Sequence, residues 1–342
     1  MHSGYCYSRR STKVKHRESV GVAIPTYRAR THLARCLPPL LQSPLRPRVL
    51  VVDCSSDDGT VEEAERLGAE THVIPRNEFN HGATRELARQ RLGTDIAVMV
   101  SADAYARDRD ALGRLVEPVV AREAAVSYGR QVPRTGAGVF EGYLRGFNYP
   151  PEGNVRGLED APKYGAGLFF CSDVFAAWRQ EALDEVGGFR PTLFHEDAIA
   201  AALLLKAGYR IAYVADAVVE HSHTHNLLAD FRRYFDAGYS RTEYARELSF
   251  AGRHATLGAR YARGLLSLVA RSRPWLLPYA AAHIAVKGLG YFAGAWCVGK
   301  SPAIARRLSG QGYYWGSVHY GGARPDASAR RRAPESRASD IP

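Results

Sequence analysis

This 342-residue chain has no CxxC pair, no GxGxxG fingerprint and no apolar run behind its N-terminus, and each absence removes a class of function. The five cysteines, Cys6, Cys36, Cys54, Cys171 and Cys297, are odd in number and widely scattered. That set argues against a structural zinc site and fits a reducing compartment. A dinucleotide-binding βαβ unit would carry GxGxxG after its first strand, but IPTYRAR stands there, so hydride transfer is set aside. The N-terminus is basic without a hydrophobic segment to follow, which reads as a short disordered arm rather than a signal peptide. The single stretch long enough to span a bilayer, residues 275–298, is interrupted by Pro278, His283, Lys287 and several glycines.

What is present describes a globular protein: 46% hydrophobic and 24% charged residues, enough for one α/β domain with a smaller appendage. The formal net charge of +11 calls for an anionic partner, whether a phosphorylated substrate, an acidic membrane surface or nucleic acid. Basic residues cluster at 9–17, 232–273 and 330–332, outside the expected crevice, and no RNA- or DNA-binding signature accompanies them. Membrane attachment is the better use of that charge. The chain divides into a disordered arm (1–18), a catalytic α/β domain (19–228), a helical, membrane-associating region (229–316) and a disordered basic tail (317–342).

Apolar runs at 20–24, 49–52 and 96–100 read as buried parallel strands, separated by helical patterns at 31–41, 61–67 and 77–93. Polar residues at the strand ends, as in VLVVDCSSDDGT, are how an open α/β sheet presents a ligand crevice. Asn80, His81 and Gly82 form a turn ahead of a helix whose first turns carry Arg85. Free N–H groups there would favour a phosphate, and an ordinary capped helix is the other reading. Asp103, at the end of 96–100, is placed to hold a hard cation or to cap a turn. Residues 131–165 are rich in glycine, proline and aromatics and read as an ordered lid or binding loop. A short strand at 168–171 and a helix at 176–186 are expected next. Residues 194–223 then pair Glu196 and Asp197, at a helix start, with His221 and His223 after a strand. The acids serve either as catalytic groups or as first-turn acids favoured by the helix dipole. His221, His223 and His225 alternate, so all three could share one face. For 275–298 a membrane-surface helix and a helix packed on the domain are both open. The surface reading takes Leu277, Ala281, Ile284, Tyr291 and Ala295 as its apolar face, with His283, Lys287 and Gly290 elsewhere and Arg271, Arg273, Lys300, Arg306 and Arg307 flanking.

Taken in order, IPTY, DCSSDDGT, FNHGATR, SADA, RQVPR with FNYP, and HEDAIAAALLLKAGYRIAYVADAVVEHSH resemble family 2 glycosyltransferases of the GT-A fold. More narrowly, they resemble bacterial rhamnosyltransferases that use dTDP-rhamnose, and the likeness runs through FRRYFDAG, LPYAAAHIAVKGLGY and RRLSGQGYYW, over about residues 18–316. The resemblance implies a Rossmann-like, mostly parallel mixed sheet flanked by helices, with a C-terminal helical extension. Pro25, Thr26 and Tyr27 would line the base and ribose, Asp53 would meet the pyrimidine, and Asn80, Arg85, Ala102 and Asp103 would complete the nucleotide-sugar site. Asp103 corresponds to the last aspartate of the family's DxD motif, whose first position is Ser101 here. His221 would supply the extra ligand to Mg²⁺ or Mn²⁺, with the pyrophosphate bridging that cation and Arg85. Asp197 would be the general base of an inverting transfer, and Glu196 would orient it or the acceptor. Ser172 and Asp173 sit where the family shows a polar pair, although Asp173 replaces the expected asparagine. The acceptor implied is a cell-envelope glycan or lipid-linked hydroxyl at the cytoplasmic face of the membrane. A UDP- or GDP-sugar donor is the neighbouring alternative, and a non-catalytic basic binding protein the alternative of another class.

Overall fold

The computed structural model describes residues 18–223, 226–248 and 255–320. The expected arm at 1–17, most of the expected tail, Cys6 and His225 lie outside the described residues. The first half alternates strands and helices: β1 (Val20–Thr26), α1 (Arg30–Leu41), β2 (Arg48–Asp53), α2 (Thr60–Leu67), β3 (Glu70–Val73), α3 (His81–Leu92), β4 (Ile96–Val100), β5 (Tyr105–Ala106) and α4 (Ala111–Val120). There follow β6 (Val126–Val132), α5 (Val139–Asn148), β7 (Asn154–Arg156), α6 (Ala161–Tyr164), β8 (Phe175–Arg179), α7 (Gln180–Glu185), α8 (Glu196–Lys206) and β9 (Ile211–Glu220). Five helices close the described chain: α9 (Leu227–Glu243), α10 (Ala245–Leu248), α11 (Ala255–Ser272), α12 (Leu277–Cys297) and α13 (Pro302–Leu308).

One mixed sheet carries the strands in the order β3-β2-β1-β4-β8-β6-β9-β5, with β7 beside β9. β1 runs parallel to β2 and β4, and all five residues of β4 are buried. That two-sided burial explains the uninterrupted apolar runs, because a sheet covered on both faces has no polar side to alternate with. The core lies on both faces, with Ala23, Met99, Trp178 and Leu204 on one and Ile24, Val98, Leu112 and Phe175 on the other. α1, α2 and α3 fall where the helical periodicity puts them. Gly208, at φ 88°, takes the left-handed conformation just beyond α8 that only glycine adopts without strain.

Two local expectations change. The strand expected at 168–171 is replaced by turns, and the strand forms instead at β8, antiparallel to both β4 and β6. The helix expected from 176 therefore begins at Gln180, after the strand. Phe175–Arg179 reads FAAWR, two alanines among five residues and little β-branching, so sheet neighbours rather than propensity make it a strand.

The second change concerns α12. It packs on α9 through His283, Lys287, Gly290 and Gly294, and on α11 through Ala280; His283, Lys287 and Gly290 were taken from sequence as lying away from the apolar face. A Cβ at Gly290 or Gly294 would strike the carbonyls of Phe231 or Phe235, so the glycines let the two backbones meet. The buried polar groups are provided for: His283 Nδ1 lies 2.9 Å from Asp230 Oδ2, and Lys287 Nζ donates to the Tyr261 hydroxyl at 3.3 Å. Trp275, Leu289, Phe292 and Trp296 face outward, 72%, 64%, 72% and 61% exposed. Among the described residues no helix is long and apolar enough to cross a membrane.

Candidate active site

The last turn of β4 leads through Ser101 and Ala102 to Asp103, the turn being closed by the Ala104 N–H to the Ser101 carbonyl at 2.9 Å. β9 ends beside it, and its ladder is extended by the His221 N–H to the Val132 carbonyl at 3.0 Å. Residues alternate faces along an extended chain, so His221 and His223 both turn toward Asp103. Each Nε2 lies 3.3 Å from the same oxygen, Asp103 Oδ2. Burial opposes the Asp103 charge, but the two imidazoles hold its carboxyl well below the usual carboxylate range. Burial also lowers the His221 pKa, with Asp103 partly offsetting it. Carboxylate and neutral imidazole are the forms in which such side chains ligate a metal. One ligand atom from each of the three residues falls within 4.8 Å of the others. Ligands at about 2.1 Å around an octahedral cation stand about 3 Å apart, so the set fits a divalent ion. His223 is the member that sequence reasoning passed over in favour of His221, and its alternation with His221 was the available signal.

The second centre lies at the start of α8. His195 caps that helix with φ 66°, a left-handed conformation costly for a side chain with a Cβ, and this turn presents Glu196 and Asp197. Glu196 is buried, its Oε1 2.5 Å from Arg85 Nη1. Arg85 Nε is 3.1 Å from Asp173 Oδ2, and Trp178 Nε1 donates to Asp173 Oδ1 at 2.7 Å. Burial works against the Arg85 charge, but Glu196, Asp173 and Asp197 outweigh it and raise its pKa. Half-buried Asp197 accepts the Asp173 N–H on Oδ2 at 3.2 Å and its neighbour Ala198's N–H on Oδ1 at 2.7 Å. Burial, followed by the Glu196 charge, pushes its carboxyl up to about 7. Burial likewise raises Asp173, against the pull of Arg85. Asp197 is thus the one carboxylate of the α8 turn without a cationic contact of its own.

Four expected site residues are engaged within the protein. The Arg85 guanidinium is buried and contacts Glu196 and Asp173. Glu196 in turn is engaged by that arginine. Asn80 is the N-cap of α3, its side chain accepting from Gly82 and Ala83 N–H and donating to the Thr192 carbonyl at 2.8 Å, so those N–H groups are already taken. Asp53 is 0% exposed; Thr26 and Ser56 hydroxyls donate to its Oδ1 at 2.9 and 2.7 Å, and the Ser56 N–H to Oδ2 at 2.7 Å. These contacts tie the end of β1 to the loop after β2. Pro25 is partly exposed, Thr26 is buried, and Tyr27 is exposed beneath the Arg76 guanidinium, 3.7 Å from its ring centroid.

An uncommitted arginine lies elsewhere. Arg233 of α9 is exposed, has no carboxylate partner among the described residues, and its charge is felt at His221, Arg145 and His81. Sequence reasoning missed it because nothing in FRRYFDAG distinguishes one arginine from the next.

Residues 21–187 match the family model "Glycosyl transferase family 2". Over 312 residues the chain is 32% identical to the O-antigen chain rhamnosyltransferase RfbN of Salmonella typhimurium, covering 88% of this chain and 97% of the relative. It is 31% identical to the O-antigen chain rhamnosyltransferase WbaN of Salmonella anatum, over 80% and 87% of the two chains. Among solved structures it is similar in fold to the mannosyltransferase PcManGT of Pyrobaculum calidifontis, in complex with GDP-Man and Mn²⁺ (TM-score 0.55, 19% identity, 88% of this chain and 86% of that one). With a GT-A sheet and near-full-length identity to two rhamnosyltransferases, the chain belongs to glycosyl transferase family 2 and is a glycosyltransferase.

Proposed function

We propose that the protein is an inverting rhamnosyltransferase that moves rhamnose from dTDP-rhamnose to a hydroxyl of a cell-envelope glycan or lipid-linked acceptor. The sugar assignment is supported by the two rhamnosyltransferase relatives. The observation that carries the chemistry is the relation of the two centres. Asp197 accepts the N–H of Asp173, whose neighbour Ser172 accepts from Gln131, and Gln131 meets His221. A base and a candidate cation site therefore lie along one short chain of contacts.

In this reading Asp197 takes the proton of the acceptor hydroxyl as that oxygen attacks the anomeric carbon and the sugar C1–O bond to the diphosphate breaks. One displacement inverts the anomeric centre. Arg85 holds Glu196 and Asp173 neutralised, so their charge does not compete for the incoming hydroxyl. Asp103, His221 and His223 would hold the divalent cation. When bound, that ion acts as a Lewis acid on the departing diphosphate. Two imidazoles and one carboxylate suit Mn²⁺ better than Mg²⁺, which favours all-oxygen shells. Arg233 takes the diphosphate role that Arg85 cannot fill. Transfer from dTDP-rhamnose, measured with UDP- and GDP-sugars in parallel, tests the donor; faster diphosphate release from either alternative would reject it.

The same enzyme is proposed to work at the cytoplasmic surface of an anionic membrane. The outward face of α12 carries Leu289, Phe292 and Trp296, Trp275 is exposed in the turn just before it, and Arg271, Arg273, Lys300, Arg306 and Arg307 near its ends are exposed. Between Glu247 and Asp326 the sequence contains ten lysines and arginines and no acidic residue. Such a face buries its apolar side chains at the headgroup boundary while the cations meet anionic lipid.

A further inference from the structure

The motifs RQVPR and FNYP remain without a function in the account above, yet their side chains converge on the candidate cation site. A bulge between Gly129 and Arg130 shifts the pairing of β6 with β9, so that Gln131 comes opposite Val219, two residues before His221. Gln131 is buried, and its amide is fully used. Nε2 donates to the Tyr149 hydroxyl at 2.5 Å and to Ser172 Oγ at 2.9 Å. Oε1 accepts from Arg145 Nη1 and lies 2.9 Å from His221 Nδ1.

Arginine is a donor only, so it decides which way the Gln131 amide faces: oxygen toward Arg145, nitrogen toward the hydroxyls. An oxygen beside His221 Nδ1 can only accept, which requires the proton on Nδ1. The neutral ring then leaves Nε2 as a bare lone pair. We infer that Gln131, oriented by Arg145, is the positioning residue that sets the tautomer of His221 and so keeps Nε2 open to a divalent cation. The inference rests on the cation reading above and names what prepares the site for it.

The rest of the segment supports the same centre. Arg134 Nη2 donates to the Asp103 carbonyl at 2.6 Å, and Glu141 Oε1 accepts the His223 N–H at 2.9 Å. Residues 131–145 thus hold the backbone of Asp103 and His223 and the ring of His221. In metal sites such outer partners fix ring orientation, and their loss costs about 10- to 100-fold in metal affinity. Without the Gln131 oxygen the ring could place its proton on Nε2, directly in the cation's position.

The experiment pairs Mn²⁺ titration, followed by electron paramagnetic resonance without donor, with long-range ¹H–¹⁵N spectra of the imidazoles in metal-free enzyme. Wild type is expected to show His221 protonated at Nδ1. Gln131→Met is expected to bind Mn²⁺ about 10- to 100-fold more weakly and to lose that tautomer signature. Gln131→Glu keeps an acceptor for Nδ1 and is expected to retain both, which a merely structural role of the amide would not predict. A wild-type ring protonated at Nε2, or a folded Gln131→Met variant with unchanged Mn²⁺ affinity, overturns the inference while leaving the cation site standing. If Gln131→Met does not fold, loss of Mn²⁺ affinity in folded Gln131→Glu overturns it. Wild type that binds no Mn²⁺ overturns the cation reading, and this inference with it.

Discussion

The two centres of the crevice are built from the same kinds of side chain and are left in opposite states. At the start of α8, Arg85 is 2.5 Å from Glu196 and 3.1 Å from Asp173, so positive charge is supplied from within. At the end of β9, Asp103, His221 and His223 turn an oxygen and two nitrogens toward one another. The charge at the first centre is balanced by the protein; in the proposed reading, the second would be balanced by a bound cation. In the proposed reading, the buried arginine at the first centre leaves one acid, Asp197, to exchange protons near neutrality, whereas among the described residues the second centre has no such arginine between Asp103 and the two histidines.

The sharpest way to break that comparison is to remove the free acid. Asp197→Asn is expected to lower kcat by about 10²- to 10⁴-fold while Mn²⁺ binding stays at the wild-type level. Its pH dependence adds a sign. Because the fold raises this carboxyl from 3.8 to about 7, activity in wild type should rise with pH through about 7. The same shift means the folded state holds the proton more tightly than the unfolded chain, so stability falls as pH rises between those values. Asp197→Asn should therefore gain thermal stability at pH 8 as it loses activity, and unchanged melting there would argue against a raised pKa.

Removing the internal cation is the next largest test. Arg85→Met leaves Glu196 and Asp173 buried without their partner and is expected to cost about 3–5 kcal/mol in denaturant unfolding. A near-neutral result would mean that these acids take up protons and that the arginine is not what balances them. At the other centre, His221→Ala and His223→Ala should each weaken Mn²⁺ binding by at least about 10-fold, the second less because His223 is more exposed. Equal and negligible losses would dissolve the proposed contrast. The smallest stability effect is expected far from both centres. Phe292→Asp with Trp296→Asp should change folding stability by only about 0.5 kcal/mol, since both side chains are exposed. Flotation with anionic liposomes should fall markedly, and retention at the wild-type level would reject this face as the membrane contact.

The parallel half of the sheet was legible because β1, β2 and β4 are buried on both faces and must be apolar without interruption. β8 was not, because FAAWR has neither alternation nor β-branching and becomes a strand only between β4 and β6. The face of α12 was misassigned for a related reason. Apolarity marks a buried face only when burial is the sole use for it, and here glycine, a histidine beside Asp230 and a lysine provide the closer packing against α9.

By itself the sequence determined the family and singled out Asp103, His221 and Asp197, on which the proposed chemistry rests. These follow from residue identity, order and charge, which folding does not alter. Only the tertiary structure decided which charges are spent. Arg85 and Arg233 are the same residue type, yet one is enclosed by two carboxylates and the other is exposed, its guanidinium over the Phe194 ring. The physical reason is that a charge's role depends on its neighbours in space, and the carboxylates that take up Arg85 lie 88 and 111 residues further along the chain.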